Sequence, residues 1–172
     1  MIGSSKPIKD LKKQIKIAAP TSGWVLITGE NGTGKELVAK EIHEMSDRKN
    51  SSFVPVNCGA IPENLFESEF FGYKKGAFTG ANTDKKGYLD QSHEGTLFLD
   101  ELGEINLNFQ VKLLRALEGS YTPLGSQTIK ESNARVVAAT NRDLQEAIRE
   151  GAMREDFYYR IHIIPIHLPP FR

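Results

Sequence analysis

The sequence is short of cysteine, of excess charge and of long apolar runs. Cys58 is the single cysteine in 172 residues, so no internal disulfide can form and a reducing cytoplasm is the expected setting. Twenty-two Lys and Arg balance twenty-two Asp and Glu. That neutrality argues against a dedicated nucleic-acid module, which usually carries a basic excess. No apolar stretch approaches the roughly 18 residues of a membrane span, and Met1-Ile2-Gly3-Ser4-Ser5 offers no signal-peptide core. His43, His93, His162 and His167 fall in no metal-ligand spacing with Cys58, which argues against zinc. With no histidine partner suggested, Cys58 is expected to be a buried, inert thiol. Internal repeats and low-complexity stretches are missing too. The charge balance is global only: Lys6, Lys9, Lys12, Lys13 and Lys16 crowd the first segment against Asp10, the pattern of a solvated helix face.

What is present alternates in type along the chain. Ile8, Leu11, Ile15, Ala18 and Ala19 recur at helical spacing, with Pro7 suited to a first helical turn. The apolar run 24–28, closed by Gly29, reads as a buried strand. Val38, Ile42 and Met45 mark one face of a second helix. Residues 53–57 form a short second strand that Pro55 weakens, and 63–71 read as helical. Glycines make 72–87 a loop or hairpin, and 97–100 a third strand follows. Leu107, Val111, Leu114 and Leu117 give a helix stripe, then 135–140 a fourth strand. Asp143 and Glu146 stand in capping-box spacing ahead of a helix that Gly151 stops. Residues 161–168 read as a fifth strand. Such alternation predicts an α/β fold, with a five-stranded parallel sheet sandwiched by helices. Ligands of these sheets bind beyond the carboxyl ends of the strands.

After the first strand comes Gly29-Glu30-Asn31-Gly32-Thr33-Gly34-Lys35-Glu36. Glycines let backbone N–H groups turn toward a phosphate, the following helix offers its positive end, and the lysine reaches the outer phosphates. Glu36 stands where a Ser or Thr usually contacts Mg²⁺. The third strand ends in Asp100-Glu101. There Asp100 can hold Mg²⁺, directly or through water, and Glu101 can polarise an attacking water. Asn57 and Thr140-Asn141 close two other strands, where amides could reach a γ-phosphate; Asn141 could equally cap the next helix. Arg154 and Arg160 could offset charge on a transferring phosphoryl group or simply pair with Glu155 or Asp156. In Gly76-Ala77-Phe78-Thr79-Gly80-Ala81, a phenylalanine sits among small residues in a segment expected to be exposed. It is either a hairpin whose Phe78 folds back on the core or a finger offering Phe78 and Thr79 to a partner.

Residues 76–81 match, letter for letter, the GAFTGA motif of the NtrC-like bacterial enhancer-binding proteins, the AAA+ activators of sigma-54 RNA polymerase. The resemblance spans essentially the whole chain, 1–172. Residues 29–36 are similar to that family's Walker A, Glu36 included, and 95–101 look like its Walker B. Thr140-Asn141 resembles sensor I. Asn57 falls on a switch asparagine thought to pair with the Walker B glutamate. Arg154 and Arg160 fall on two arginines acting on the neighbouring subunit's nucleotide, and residues 112–133 on a second, pre-sensor loop. The family pattern also sets Ile2 and Gly3 beside the adenine. Asn31 and Met153 are small departures, standing where Ser and Phe are commoner.

The resemblance implies the α/β subdomain of an ATPase that takes ATP and Mg²⁺. It implies a hexamer-type ring in the intact protein, though this chain alone could be monomeric, and a loop that contacts sigma-54. Pro169-Pro170 would be the seam to a helical lid; regulatory and DNA-binding domains are likewise expected outside the chain. Two rivals stay open. One is an AAA+ ATPase of another clade, of helicase-loader or chelatase type. The other is a nucleotide-binding module without turnover.

Overall fold

A computed structural model describes residues 3–170; Ile2, Phe171 and Arg172 lie outside them. The helices are α1 (Lys6–Ala18), α2 (Lys35–Glu44), α3 (Phe66–Phe71), α4 (Tyr88–Gln91), α5 (Leu107–Glu118), α6 (Leu144–Arg149) and α7 (Glu155–Ile161). The strands are β1 (Val25–Thr28), β2 (Phe53–Asn57), β3 (Thr96–Asp100), β4 (Ser120–Tyr121), β5 (Lys130–Glu131), β6 (Arg135–Thr140) and β7 (Ile164–His167). Among the described residues no helix is long and apolar enough to cross a membrane.

The main sheet has the order β2-β3-β6-β1-β7, and every pair in it is parallel. Alternate side chains leave each strand on opposite faces. Leu26, Leu97, Leu99, Val136 and Ala138 join Phe66, Phe70, Phe109, Leu113 and Phe157 in one core. Val25, Ile27, Phe98, Val137 and Ala139 join Leu11, Ile15, Val38 and Ile42 in the other. Both faces are covered, which is why the strands read as unbroken apolar runs. Pro55 is tolerated because β2 is an edge strand, where one row of N–H groups has no ladder partner to lose. The short β4–β5 pair is antiparallel and stands apart from the sheet.

Four sequence expectations shift. The expected strand 161–168 begins only at Ile164, because Phe157, Tyr158 and Ile161 pack as the buried stripe of α7. The stripe of α5 is displaced: Phe109, Gln110, Leu113, Ala116 and Leu117 face inward, and Leu107 is 42% exposed. Phe109 stacks on Phe66 with centroids 5.1 Å apart, so an aromatic contact turns the helix. Met45 leaves the α2 face because the helix ends at Glu44; His43 is the buried residue there. Residues 63–71 split into a single 3-10 turn (Glu63–Leu65) and α3.

Two polar groups brace the layers. Arg135, at the start of β6, is 2% exposed. Its guanidinium donates to the carbonyls of Ala18 (2.7 Å), Ala19 (2.8 Å) and Gly23 (3.1 Å). These lie at and just beyond the end of α1, where carbonyls lack intrahelical partners and a cation is favoured. Burial lowers its pKa, with a smaller contribution from Arg48. His43 joins α2 to β3. Its Nδ1 lies 2.7 Å from Thr96 Oγ1 and its Nε2 3.2 Å from the Ser51 carbonyl. A carbonyl only accepts, so Nε2 carries the proton and the Thr96 hydroxyl donates to Nδ1.

Arg135→Met nearly keeps the volume but removes a donor from each of the three carbonyls, of which Ala18 still accepts from Thr21. Chemical denaturation should show a loss of about 2–3 kcal/mol; a shift within error would mean that water replaces the guanidinium without cost. Burial chiefly lowers the His43 pKa below its ordinary 6.5. Between the folded and unfolded pKa values the unfolded chain binds the extra proton, so stability should rise with pH there and be fully present above about 6.5. His43→Gln should flatten this part of the pH–stability curve; an unchanged slope would place its origin elsewhere.

Candidate functional site

The turn between β1 and α2 brings its lysine inward. Lys35 is buried, and its ammonium donates to the carbonyls of Gly29 (3.0 Å) and Glu30 (2.8 Å). Thr33 Oγ1 donates to the Glu30 carbonyl at 2.7 Å, closing the loop from within. Gly34 precedes the helix in a left-handed conformation. Glu36 turns outward to Lys40 at 3.4 Å, so position 36 presents no hydroxyl to the loop interior. Asn31, Gly32, Lys35 and Glu36 form one side of a cleft of about 210 Å³, which Asp100, Glu101 and Asn141 also line. A neighbouring hollow of about 410 Å³ carries Leu26, Leu144, Tyr158 and His162 but lacks Lys35 and both acids.

The acids sit where β3 ends. Asp100 Oδ1 accepts from the Glu101 N–H at 2.9 Å. Glu101 has φ 53°, a left-handed conformation costly for a residue with a side chain. Its carboxylate lies over Gly59, where an added Cβ would stand 2.0 Å from Oε2. Asn57 Oδ1 accepts from the Gly59 N–H at 3.0 Å. The asparagine therefore bonds within its own turn and meets Glu101 through Gly59 rather than directly. Between them Cys58 is buried, and burial first, then the charges of Asp100 and Glu101, push its thiol up to about 12. Magnesium takes hard oxygen ligands and keeps several waters. Two carboxylates beside a lysine-bearing loop fit an ion shared with a phosphate. They do not form a protein cage, and no cluster of three or more His, Cys, Asp or Glu suited to a metal occurs among the described residues.

Thr140 ends β6 buried, its Oγ1 accepting from the Arg142 N–H at 3.0 Å. Asn141 does not cap α6, since Asp143 does so through the Glu146 N–H at 3.1 Å; it is left free to line the cleft. Arg154 and Arg160 stand away from that cleft. Arg154 pairs with Asp156 through two contacts of 3.0 and 3.1 Å, and Arg160 approaches Glu118 at 3.1 Å. One contributor had no sequence signal beyond a polar letter in an apolar stripe. Gln110 is fully buried, donates to Ile105 and Ala152, and accepts from the Arg154 N–H at 2.9 Å. It thereby fixes the turn that opens α7.

The loop 72–87 has a paired base and an open tip. Tyr73 and Lys85 exchange backbone bonds at 3.0 and 2.8 Å. On its other side, Lys74 N–H reaches the Leu124 carbonyl at 2.9 Å, and Leu124 N–H the Gly72 carbonyl at 3.0 Å. Asp90 fastens the same region. Its carboxylate accepts from Tyr121 (2.6 Å), Lys130 (3.0 Å) and the Gly87 N–H (3.1 Å). Burial alone would raise its pKa, but the three donors together hold it below the usual range. At the tip, Gly76 and Gly80 have φ 85° and 97° with open space around them, so glycine is needed there for conformation and not for room. Phe78 is 45% exposed and rests edge-on against Tyr73, centroids 4.8 Å apart. It neither enters the core nor stands free. Thr79 is exposed beside it and Ala81 is buried, while Ala77 is half-buried.

Comparison with known proteins shows the family and the fold. The chain is 51% identical to a signal-transduction and transcriptional-control protein of Clostridium beijerinckii, which matches all of this chain with 28% of its own length. It is 46% identical to the DNA-binding transcriptional regulator NtrC of Rhizobium meliloti, over all of this chain and 36% of that protein. The crystal structure of NtrX from Brucella abortus in complex with ATP superposes with a TM-score of 0.91 at 34% identity, covering 98% of this chain and 38% of that one. The chain thus spans about a third of the length of such relatives. The family model described as the sigma-54 interaction domain matches residues 1–167, and the chain belongs to that family.

Proposed function

We propose that the chain is the ATP-binding and ATP-hydrolysing part of a sigma-54-dependent transcription activator. In this reading residues 1–172 form the α/β subdomain of its AAA+ core. The lid, the regulatory domain and the DNA-contacting domain belong to the remainder of a longer, cytoplasmic protein. The supporting observation is the meeting of Lys35, Asp100, Glu101 and Asn141 around one cleft at the carboxyl end of the sheet.

Lys35 now satisfies its ammonium on two carbonyls of its own loop; a nucleotide would supply phosphate oxygens in their place, and the glycine-rich turn would offer them backbone N–H groups. Asp100 would hold Mg²⁺, whose contribution when bound is to neutralise charge on the phosphates. Glu101 would accept a proton from the attacking water and aim it. Asn141, and Thr140 behind it, would read the γ-phosphate position. Asn57 would pass the state of Glu101 along β2. Arg154 and Arg160 would act on the nucleotide of a neighbouring copy in a hexamer-type ring. The exposed 76–81 loop would engage sigma-54, and its base would shift with γ-phosphate contacts between two positions. Hydrolysis would then remodel the closed polymerase–promoter complex.

Lys35→Ala should abolish nucleotide binding in a fluorescence titration, because the cleft loses its one buried cation; wild-type affinity would remove the phosphate-loop assignment. Thr79→Ala, in the intact protein, should keep ATP hydrolysis within about twofold while losing capture of sigma-54 with an ATP transition-state analogue. Retained capture would rule out the loop as the contact.

A further inference from the structure

The two arginines of α7 and its N-terminal edge are held in different ways. Arg154 has one edge occupied: Nε and Nη2 both donate to the Asp156 carboxylate in a two-pronged pairing. Arg160 is engaged only on its face and at its inner nitrogen. Its Cζ stands 3.7 Å from the centroid of the Trp24 ring, and its Nε lies 3.1 Å from Glu118 Oε1. Among the described residues neither terminal nitrogen of Arg160 makes a hydrogen bond. Trp24, just before β1, is 5% exposed and is fixed in the core shared by Phe157 and Ile161. Glu118 ends α5. A buried aromatic face from just before β1 and a carboxylate from α5 thus clamp a side chain from α7.

We infer that Trp24 and Glu118 are positioning residues that present the terminal nitrogens of Arg160 to a phosphate on a second copy of the chain. This rests on the reading of Arg160 as an arginine acting in trans. The bracket has a physical purpose. A free arginine loses rotamer entropy when it grips an anion; one already stacked and anchored at Nε has lost much of it beforehand. The stack also leaves the guanidinium charged and its outer edge open, whereas a two-pronged carboxylate such as Asp156 would compete with a phosphate for the same edge. Of the two arginines, Arg160 is therefore the prepared one, and Arg154 must first part from Asp156.

Trp24 is the single tryptophan of the chain, so its emission reports the stack directly. Arg160→Met should shift that emission and Arg154→Met should not; equal spectra for wild type and Arg160→Met would overturn the bracket. ATP hydrolysis by the intact, assembled protein gives the functional test. Trp24→Leu, which keeps an apolar side chain but no aromatic face, should lower kcat about three- to tenfold with nucleotide Kd unchanged, and Trp24→Phe should recover most of the loss. Glu118→Gln, at an exposed position and safe for folding, should lower kcat by a few-fold. Wild-type rates in Trp24→Leu and Glu118→Gln, alongside inactive Arg160→Met, would sink the bracket and leave the trans arginine standing. Full hydrolysis by Arg160→Met, with Lys35→Ala inactive, would remove the trans role and the bracket together.

Discussion

A parallel sheet sealed by helices on both faces leaves chemistry only its strand ends, and the rest of the molecule follows from that constraint. Parallel pairing makes every carboxyl end point the same way. The register then sets Asn57 beside Asp100 and Thr28 beside Thr140. Because the order is β2-β3-β6-β1, Asn57, the acidic pair 100–101, Thr140-Asn141 and the turn 29–36 form one continuous row. Residues far apart in sequence become neighbours through strand order alone. The groups that hold the layers, Arg135 and His43, lie at β6's start and on β3's first residue. They are remote from that row, so stability and chemistry sit at opposite ends of the strands.

The loop 72–87 departs from this economy. It is not part of the sheet, yet its base is bonded along both edges, to itself through Tyr73 and Lys85 and to the β4–β5 segment through Leu124. Asp90 adds donors from α4's own N-terminus, from β4 and from β5. Each of these bonds involves a carboxylate kept ionised, the stronger kind of hydrogen bond. The order thus fades outward from a firmly tied base to a glycine-flanked tip whose Phe78 has only one aromatic neighbour described.

Much of this was legible in the sequence because it rests on local pattern. Continuous apolar runs gave the five strands, and the glycine–lysine turn and the terminal acids gave the cleft. Misreadings arose where packing between distant segments overrode periodicity. The apolar letters of α5 suggested a stripe through Leu107, but Phe109 finds Phe66 and Gln110 finds the Arg154 turn, so the helix rotates. Ile161 looks like a strand residue in isolation and is helical because Phe157 is buried one turn before it. The resemblance pairs Asn57 with Glu101; here the Asn57 amide oxygen accepts from the Gly59 N–H, and the glycine stands between the two side chains. Gln110 and Trp24 carried no signal of their own, since a residue that acts by holding another is invisible until both are placed.

Cys58 has a consequence for how the molecule withstands its surroundings. The only sulfhydryl of the chain lies directly behind the two acids of the cleft, shielded from solvent and kept protonated by burial and by their charges. A thiol in that state is a poor target for oxidants, alkylating agents and disulfide exchange. Oxidative stress therefore has no covalent handle beside the acidic pair. A cysteine introduced on the exposed tip would be the sole labelling point on the chain, free of background from within.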